Sequence, residues 1–170
     1  IPENQAEIIF CRNNFHGRTL GVLSGSTNEK YRHCFGPFLS GIRYVDFGDT
    51  KDLETVLWGI HEKVAAFILE PIQGEGGINI PPDDYLKQAE NLCREKNILF
   101  VLDEIQTGLG RTGPMFAYQQ YGVKPGLLIL GKALGGGIED ISVVAGPNEI
   151  MSVLEPGRHV ARRDRLLPHG

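Results

Sequence analysis

Cysteine, methionine and tryptophan are scarce, at three, two and one in 170 residues. Cys11, Cys34 and Cys93 are odd in number and far apart. That spacing argues against a disulfide framework or a cysteine-rich zinc site and points to a reducing compartment: cytoplasm, or the mitochondrial matrix in a eukaryote. No apolar run approaches the roughly 18 residues a membrane helix needs, so no membrane partner is expected. Basic side chains are outnumbered, 17 against 21 acidic for a formal charge of −4, which argues against a nucleic-acid footprint. No repeat or low-complexity tract occurs, and no charged or amphipathic leader is visible at Ile1. Against these absences stands a 41% hydrophobic fraction, enough for one real core in a chain of this length.

Short β-branched apolar runs alternate with helical patterns, separated by Gly and Pro. The pattern predicts strands at Glu7–Cys11, Arg43–Asp46, Val64–Leu69, Ile98–Leu102, Leu127–Leu130 and Ser142–Ala145. It predicts helices near Thr50–Leu57, Asp83–Lys96 and Asn148–Val153. The middle helix follows Pro81 and Pro82, has Asp83 or Asp84 as a cap, and sets Tyr85, Leu86, Ala89 and Leu92 on one face. Runs such as Ala65–Leu69 and Ile98–Leu102 are apolar on both faces, as strands are in the middle of a helix-covered sheet. The fold class is therefore α/β, with a mainly parallel sheet and helices on both faces. Residues 160–170 depart from this pattern, with no apolar period. Arg162, Arg163 and Arg165 face only Asp164, and a solvated basic tail without fixed structure is expected there.

In open α/β sheets ligands bind beyond the carboxyl ends of the strands, so the residues after each apolar run form a set. Four of the predicted ends carry polar groups: Asn13 to Thr19, Glu70 to Gly77, Asp103 to Gly108, and Gly131-Lys132-Ala133-Leu134 followed by three glycines. An acid and a lysine at neighbouring strand ends fit a plain salt bridge. The glycines after Lys132 favour another reading, because they clear side chains from beside the amine and let backbone approach a ligand. A partly desolvated lysine attacks carbonyls, and a buried Asp103 needs a cation to stay ionised. Pyridoxal phosphate supplies both, an aldehyde for the amine and a pyridinium for the carboxylate.

Two rival chemistries fail on spacing. Apolar residues before Asp103-Glu104 imitate the magnesium strand of P-loop ATPases, but no G-x-x-x-x-G-K-[ST] loop exists. His16, His33, His61, His159 and His169 are scattered, and read as surface or packing histidines rather than metal ligands.

The segments Phe15-His16-Gly17-Arg18-Thr19, Glu70-Pro71-Ile72-Gln73-Gly74-Glu75, Asp103-Glu104-Ile105-Gln106-Thr107-Gly108, Gly110-Arg111-Thr112-Gly113 and Gly131-Lys132-Ala133-Leu134 resemble the class III, fold type I, pyridoxal-phosphate-dependent aminotransferases. The run Leu128–Gly137, with Ser142–Ala145 after it, is most similar to the ornithine δ-aminotransferase branch. The resemblance covers residues 1–159 and implies the central part of the cofactor-binding large domain. Lys132 matches the lysine that joins the cofactor's aldehyde carbon and later moves the proton. Asp103 matches the partner of the pyridine nitrogen, Gln106 that of the ring's phenolic oxygen, and Phe15 the aromatic stacked on the ring. Arg18 resembles the arginine that takes a carboxylate of the 2-oxo acid substrate. Glu75 resembles the glutamate that masks a second, C-terminal arginine, and Glu70 a carboxylate standing one layer behind.

The same resemblance implies transfer of the δ-amino group of ornithine to 2-oxoglutarate by a homodimer or larger assembly. An acetylornithine or other ω-amino-acid aminotransferase is the alternative within the family. Family members are more than twice this length, and their glycine-rich phosphate grip and C-terminal small domain have no counterpart here. A non-catalytic truncated domain is thus the rival of another class, and the chain alone is expected to be inactive. After Arg158-His159, family members continue Gly-Ser-Thr where this chain reads Val160-Ala161-Arg162, as a shifted reading frame would produce.

Overall fold

The computed structural model describes residue 1 and residues 5–154. The expected basic tail at 160–170 lies outside the described residues. Six strands form one sheet: β1 (Glu7–Cys11), β2 (Ile42–Val45), β3 (Val64–Leu69), β4 (Leu99–Asp103), β5 (Leu127–Leu130) and β6 (Val143–Ala145). Their order is β2-β1-β3-β4-β5-β6. Every neighbouring pair is parallel except β5 and β6, which run antiparallel. The mainly parallel α/β architecture read from the sequence is the one observed.

β1, β3 and β5 carry the expected bounds, while β4 runs one residue later than its apolar run. The ladder continues because Asp103 pairs with Ile129 and the Glu104 N–H donates to the Ile129 carbonyl at 2.9 Å. Asp103 is thus the last residue of a strand, fixed by the sheet, rather than the first residue of a loop.

Two long helices cover one face of the sheet. In α3 (Thr50–Ile60) the Asp49 carboxylate caps the first turn, accepting from Lys51 N and Asp52 N at 2.9 and 3.2 Å. In α4 (Tyr85–Glu95) Asp84 stands at the cap position, but its carboxylate takes Gln88 Nε2 instead, so the expected cap bond is not made. Leu53 and Leu57 of α3, with Tyr85, Leu86, Ala89 and Cys93 of α4, bury against Ile9, Cys11, Phe67, Leu69, Phe100 and Leu102. Alternate strand residues face the other way. There the Phe10 ring lies so close to the Gly25 backbone that a Cβ at residue 25 would stand 2.5 Å from it. Gly25 ends a short helix, α1 (Leu20–Ser24), that sequence periodicity does not reveal because five residues are too few to show one.

Other short elements are hidden from periodicity for the same reason. They are α2 (Glu29–Arg32) and the 3-10 turns His61–Lys63, Ala117–Tyr121 and Lys132–Gly135. The last helix, α5 (Asn148–Met151), stops two residues before its expected end.

Cys11 and Cys93 are free and buried, and burial pushes both thiols up to about 12, beyond ordinary reactivity. Among the described residues no helix is long and apolar enough to cross a membrane.

Two aromatics at opposite extremes of burial provide a test of the core. Phe67 is 0% exposed and Trp58 is 90% exposed. Phe67→Ala should cost about 3–5 kcal/mol of unfolding free energy. Trp58→Ala should stay within roughly 0.5 kcal/mol. Urea denaturation of the two variants checks this, and similar losses would contradict the packing described.

Candidate functional site

The carboxyl ends of β1, β3, β4 and β5 converge on one cavity of about 130 Å³. Phe15, His16 and Gly17 come from the loop after β1, Glu70 and Ile72 from the end of β3, Asp103, Ile105, Gln106 and Thr107 from β4, and Lys132 from β5. A cavity near this size, walled by apolar side chains, is enough to take a benzene-sized ring.

On the buried side, Asp103 Oδ2 and His16 Nδ1 are 2.7 Å apart, with side chains only 5% and 3% exposed. Asp103 Oδ1 accepts from Ile105 N at 3.0 Å, which fixes the plane of the carboxylate. On the exposed side, Lys132 Nζ donates to Gln106 Oε1 at 2.9 Å. Lys132 holds φ at +45°, left-handed backbone that costs a side-chain-bearing residue on the order of 1–3 kcal/mol and recurs at functional positions. Behind the cavity, Glu70 Oε1 accepts from Phe15 N at 3.0 Å and Oε2 from Gly74 N at 3.2 Å. One carboxylate thereby ties the β1 loop to the β3 loop. A Cβ at residue 74 would stand 2.6 Å from the Gln106 amide, so a larger residue there would push the Gln106 side chain aside.

Of the residues singled out in the sequence, Phe15, Glu70, Asp103, Gln106 and Lys132 therefore share one cavity. Arg18 and Glu75 do not line it. The Arg18 guanidinium lies over the Tyr31 ring at 4.7 Å and farther from Phe15, at 5.9 Å. Glu75 lines a neighbouring polar recess with Asn13, Asn14 and Tyr31, so Tyr31 is what the two positions share.

His16 is the correction. Sequence alone leaves it among the packing histidines because 87 positions separate it from Asp103. Yet β1 and β4 both flank β3 in the sheet, which brings their ends together. The available signal is its position at a strand end, combined with the need of a buried Asp103 for a partner. His16 Nε2 is buried without a partner among the described residues.

The family model described as aminotransferase class-III matches residues 2–161. The chain belongs to the class-III aminotransferases. It is 56% identical over 159 residues to an ornithine aminotransferase of Bacillus cereus, a match covering 94% of this chain and 39% of that protein. A Geobacillus ornithine aminotransferase is 52% identical over the same share of each chain. Among solved structures, the ornithine aminotransferase of Toxoplasma gondii superposes with a TM-score of 0.90 at 48% identity, covering 94% of this chain and 37% of that one. An acetylornithine aminotransferase from Elizabethkingia anophelis reaches 0.76 at 39% identity, covering 94% and 35%. The chain spans about two fifths of the length of the curated relatives it matches.

The cavity fits the pyridoxal phosphate that class-III aminotransferases use. It has apolar side chains to take a planar ring, an amine within reach of the space, and a carboxylate held against a histidine. Among its lining residues only Lys132 and His16 are basic, so no other basic side chain of the lining faces a phosphate.

Burial pushes the Glu70 carboxyl above its ordinary 4.5, against the lowering effect of the Phe15 and Gly74 N–H bonds. A group with a higher pKa folded than unfolded favours folding at acid pH and loses that contribution as pH rises from 4.5 through the raised value. Wild type should therefore lose stability relative to Glu70→Gln over that range, as read by denaturant unfolding at a series of pH values. A wild type that gains on the variant as pH climbs would contradict the burial of an ionisable Glu70.

Proposed function

We propose that this chain forms the central part of the cofactor-binding large domain, residues 1–159, of an ornithine aminotransferase that moves the δ-amino group of ornithine to 2-oxoglutarate. The observation carrying the reading is the convergence of Lys132, Gln106, Asp103 and Phe15 on one cavity from three different strand ends, those of β5, β4 and β1. The ornithine reading is supported over an acetylornithine one by sequence, since the bacterial ornithine aminotransferases are 56% and 52% identical to this chain and the acetylornithine aminotransferase 39%. The working assembly is a homodimer or larger, acting on small amino and 2-oxo acids in the cytoplasm, or in the mitochondrial matrix of a eukaryote. Two buried free thiols suit such a reducing compartment.

When bound, pyridoxal phosphate supplies an aldehyde carbon and a ring that accepts electron density from the amino acid. Lys132 Nζ is the nucleophile toward that carbon and the base that takes and returns the substrate's proton. The Gln106 carbonyl oxygen accepts from the amine and orients it, leaving the Gln106 Nε2 amide to donate to the ring's oxygen substituent. Asp103, steadied by His16 Nδ1 and Ile105 N, presents a negative charge to the ring nitrogen from the buried side. Phe15 covers a ring face and excludes water. Arg18, propped on Tyr31, offers a planar fork to a substrate carboxylate, and Glu75 masks a second arginine while ornithine is bound.

Replacing the matching segment of the Bacillus cereus relative with residues 5–154 tests this. The chimaera should turn over L-ornithine with 2-oxoglutarate. Lys132→Ala should lower its rate by roughly a hundredfold or more, the low end of what a positioned proton-transfer group contributes. A folded chimaera that prefers N-acetylornithine, or is indifferent to Lys132, would overturn the reading.

A further inference from the structure

Glu104 follows Asp103 directly but takes no place in the cavity lining. Its residue is 1% exposed, and a carboxylate so far from water must be compensated by hydrogen bonds. Oε2 accepts from Ala117 N at 2.7 Å, Oε1 accepts from Tyr118 N at 2.8 Å, and the Thr107 hydroxyl donates to Oε2 at 3.4 Å. The backbone of the same residue is held on both sides. Its N–H donates to the Ile129 carbonyl at 2.9 Å, and its carbonyl accepts from Gly108 N at 2.9 Å. Glu104 is thereby pinned to β5 and to the Ala117–Tyr121 turn, and Thr107 and Gly108 bond back to it, which closes the turn over residues 104–108.

Gln106 lies inside that pinned segment. Its own side chain is exposed, and the point from which it reaches Lys132 is set by the backbone that carries it. Thr107, its neighbour, is buried and bonded to Glu104, and Lys132 Nζ stands at 2.9 Å from Gln106 Oε1.

We propose that Glu104 is a positioning residue for the Lys132 site, acting through Gln106: its carboxylate locks the turn that presents Gln106 Oε1 to the lysine amine. The inference rests on the reading of Lys132 and Gln106 given above, but its test needs no cofactor. Burial also raises the Glu104 carboxyl above its ordinary range, against the Tyr118 and Ala117 N–H bonds that lower it.

Carbon-13 NMR of the lysine ε-methylenes in the full, cofactor-free chain reads the state of the Lys132 amine directly. Gln106→Ala should move the Lys132 signal toward that of an exposed, unpartnered lysine. Glu104→Leu should produce the same shift, and adding it to Gln106→Ala should produce no more. Glu104→Gln keeps the shape but replaces one acceptor oxygen with a donor, so it should move the signal part of the way, and it remains informative if the Leu variant fails to fold.

A folded Glu104→Gln variant that melts earlier while leaving the Lys132 signal in place would overturn the proposal, showing that Glu104 only caps the Ala117–Tyr121 turn. Additive shifts in the double variant would overturn it too. If the signal moves as expected but pyridoxal phosphate does not react selectively with Lys132, the functional reading fails and the positioning role of Glu104 stands.

Discussion

The parallel register between β4 and β5 is the constraint on which the site depends. Val101, Leu102 and Asp103 pair with Leu127, Leu128 and Ile129, and the bond from Glu104 N to Ile129 O closes the ladder. That register stops β4 at the acid and carries β5 past it to Gly131 and Lys132, so the carboxylate and the amine emerge at the same end of neighbouring strands. A shift of one residue would turn Asp103 to the other face of the sheet and separate the pair. The apolar layer under α3 and α4 holds the register, because Phe100, Leu102, Leu128 and Leu130 are all part of it.

Around this pair the protein buries carboxylates, which is expensive unless each is hydrogen-bonded. Asp103 has His16 and Ile105 N, Glu70 has Phe15 N and Gly74 N, and Glu104 has Ala117 N and Tyr118 N. In the last two cases the partners are backbone N–H groups, all from other loops except Gly74, which belongs to Glu70's own. These acids convert a set of strand-end loops, ordinarily the most mobile parts of an α/β domain, into a fixed frame. The backbone strain at Lys132 is tolerated within such a frame.

Much of this is legible in the residues. Apolar runs locate the strands, the rule that ligands bind beyond their carboxyl ends picks out the segments and within them Asp103 and Lys132, and the family resemblance adds Phe15, Glu70 and Gln106. Short elements are not legible, because a five-residue helix such as Leu20–Ser24 has no period to detect. The role of His16 is hidden by sequence distance, since its partner lies on a strand that becomes close only through sheet order. Glu104 looks like half of an acidic pair, and only the fold shows that it points away from Asp103's cavity into a ring of N–H donors. Arg18 and Glu75 are recognisable by motif, while their placement around Tyr31 comes from the packing of the loop after β1.

The most direct test of the account is to mix the purified chain with pyridoxal phosphate at low concentration, reduce with borohydride, and map the modified lysines by mass spectrometry. An assembled site predicts label on Lys132 well above that on Lys51, Lys87 and Lys124, and loss of the preference in Asp103→Ala. Label spread evenly over the lysines, with Lys132 no more reactive than the rest, would contradict the claim that these strand ends build a cofactor site.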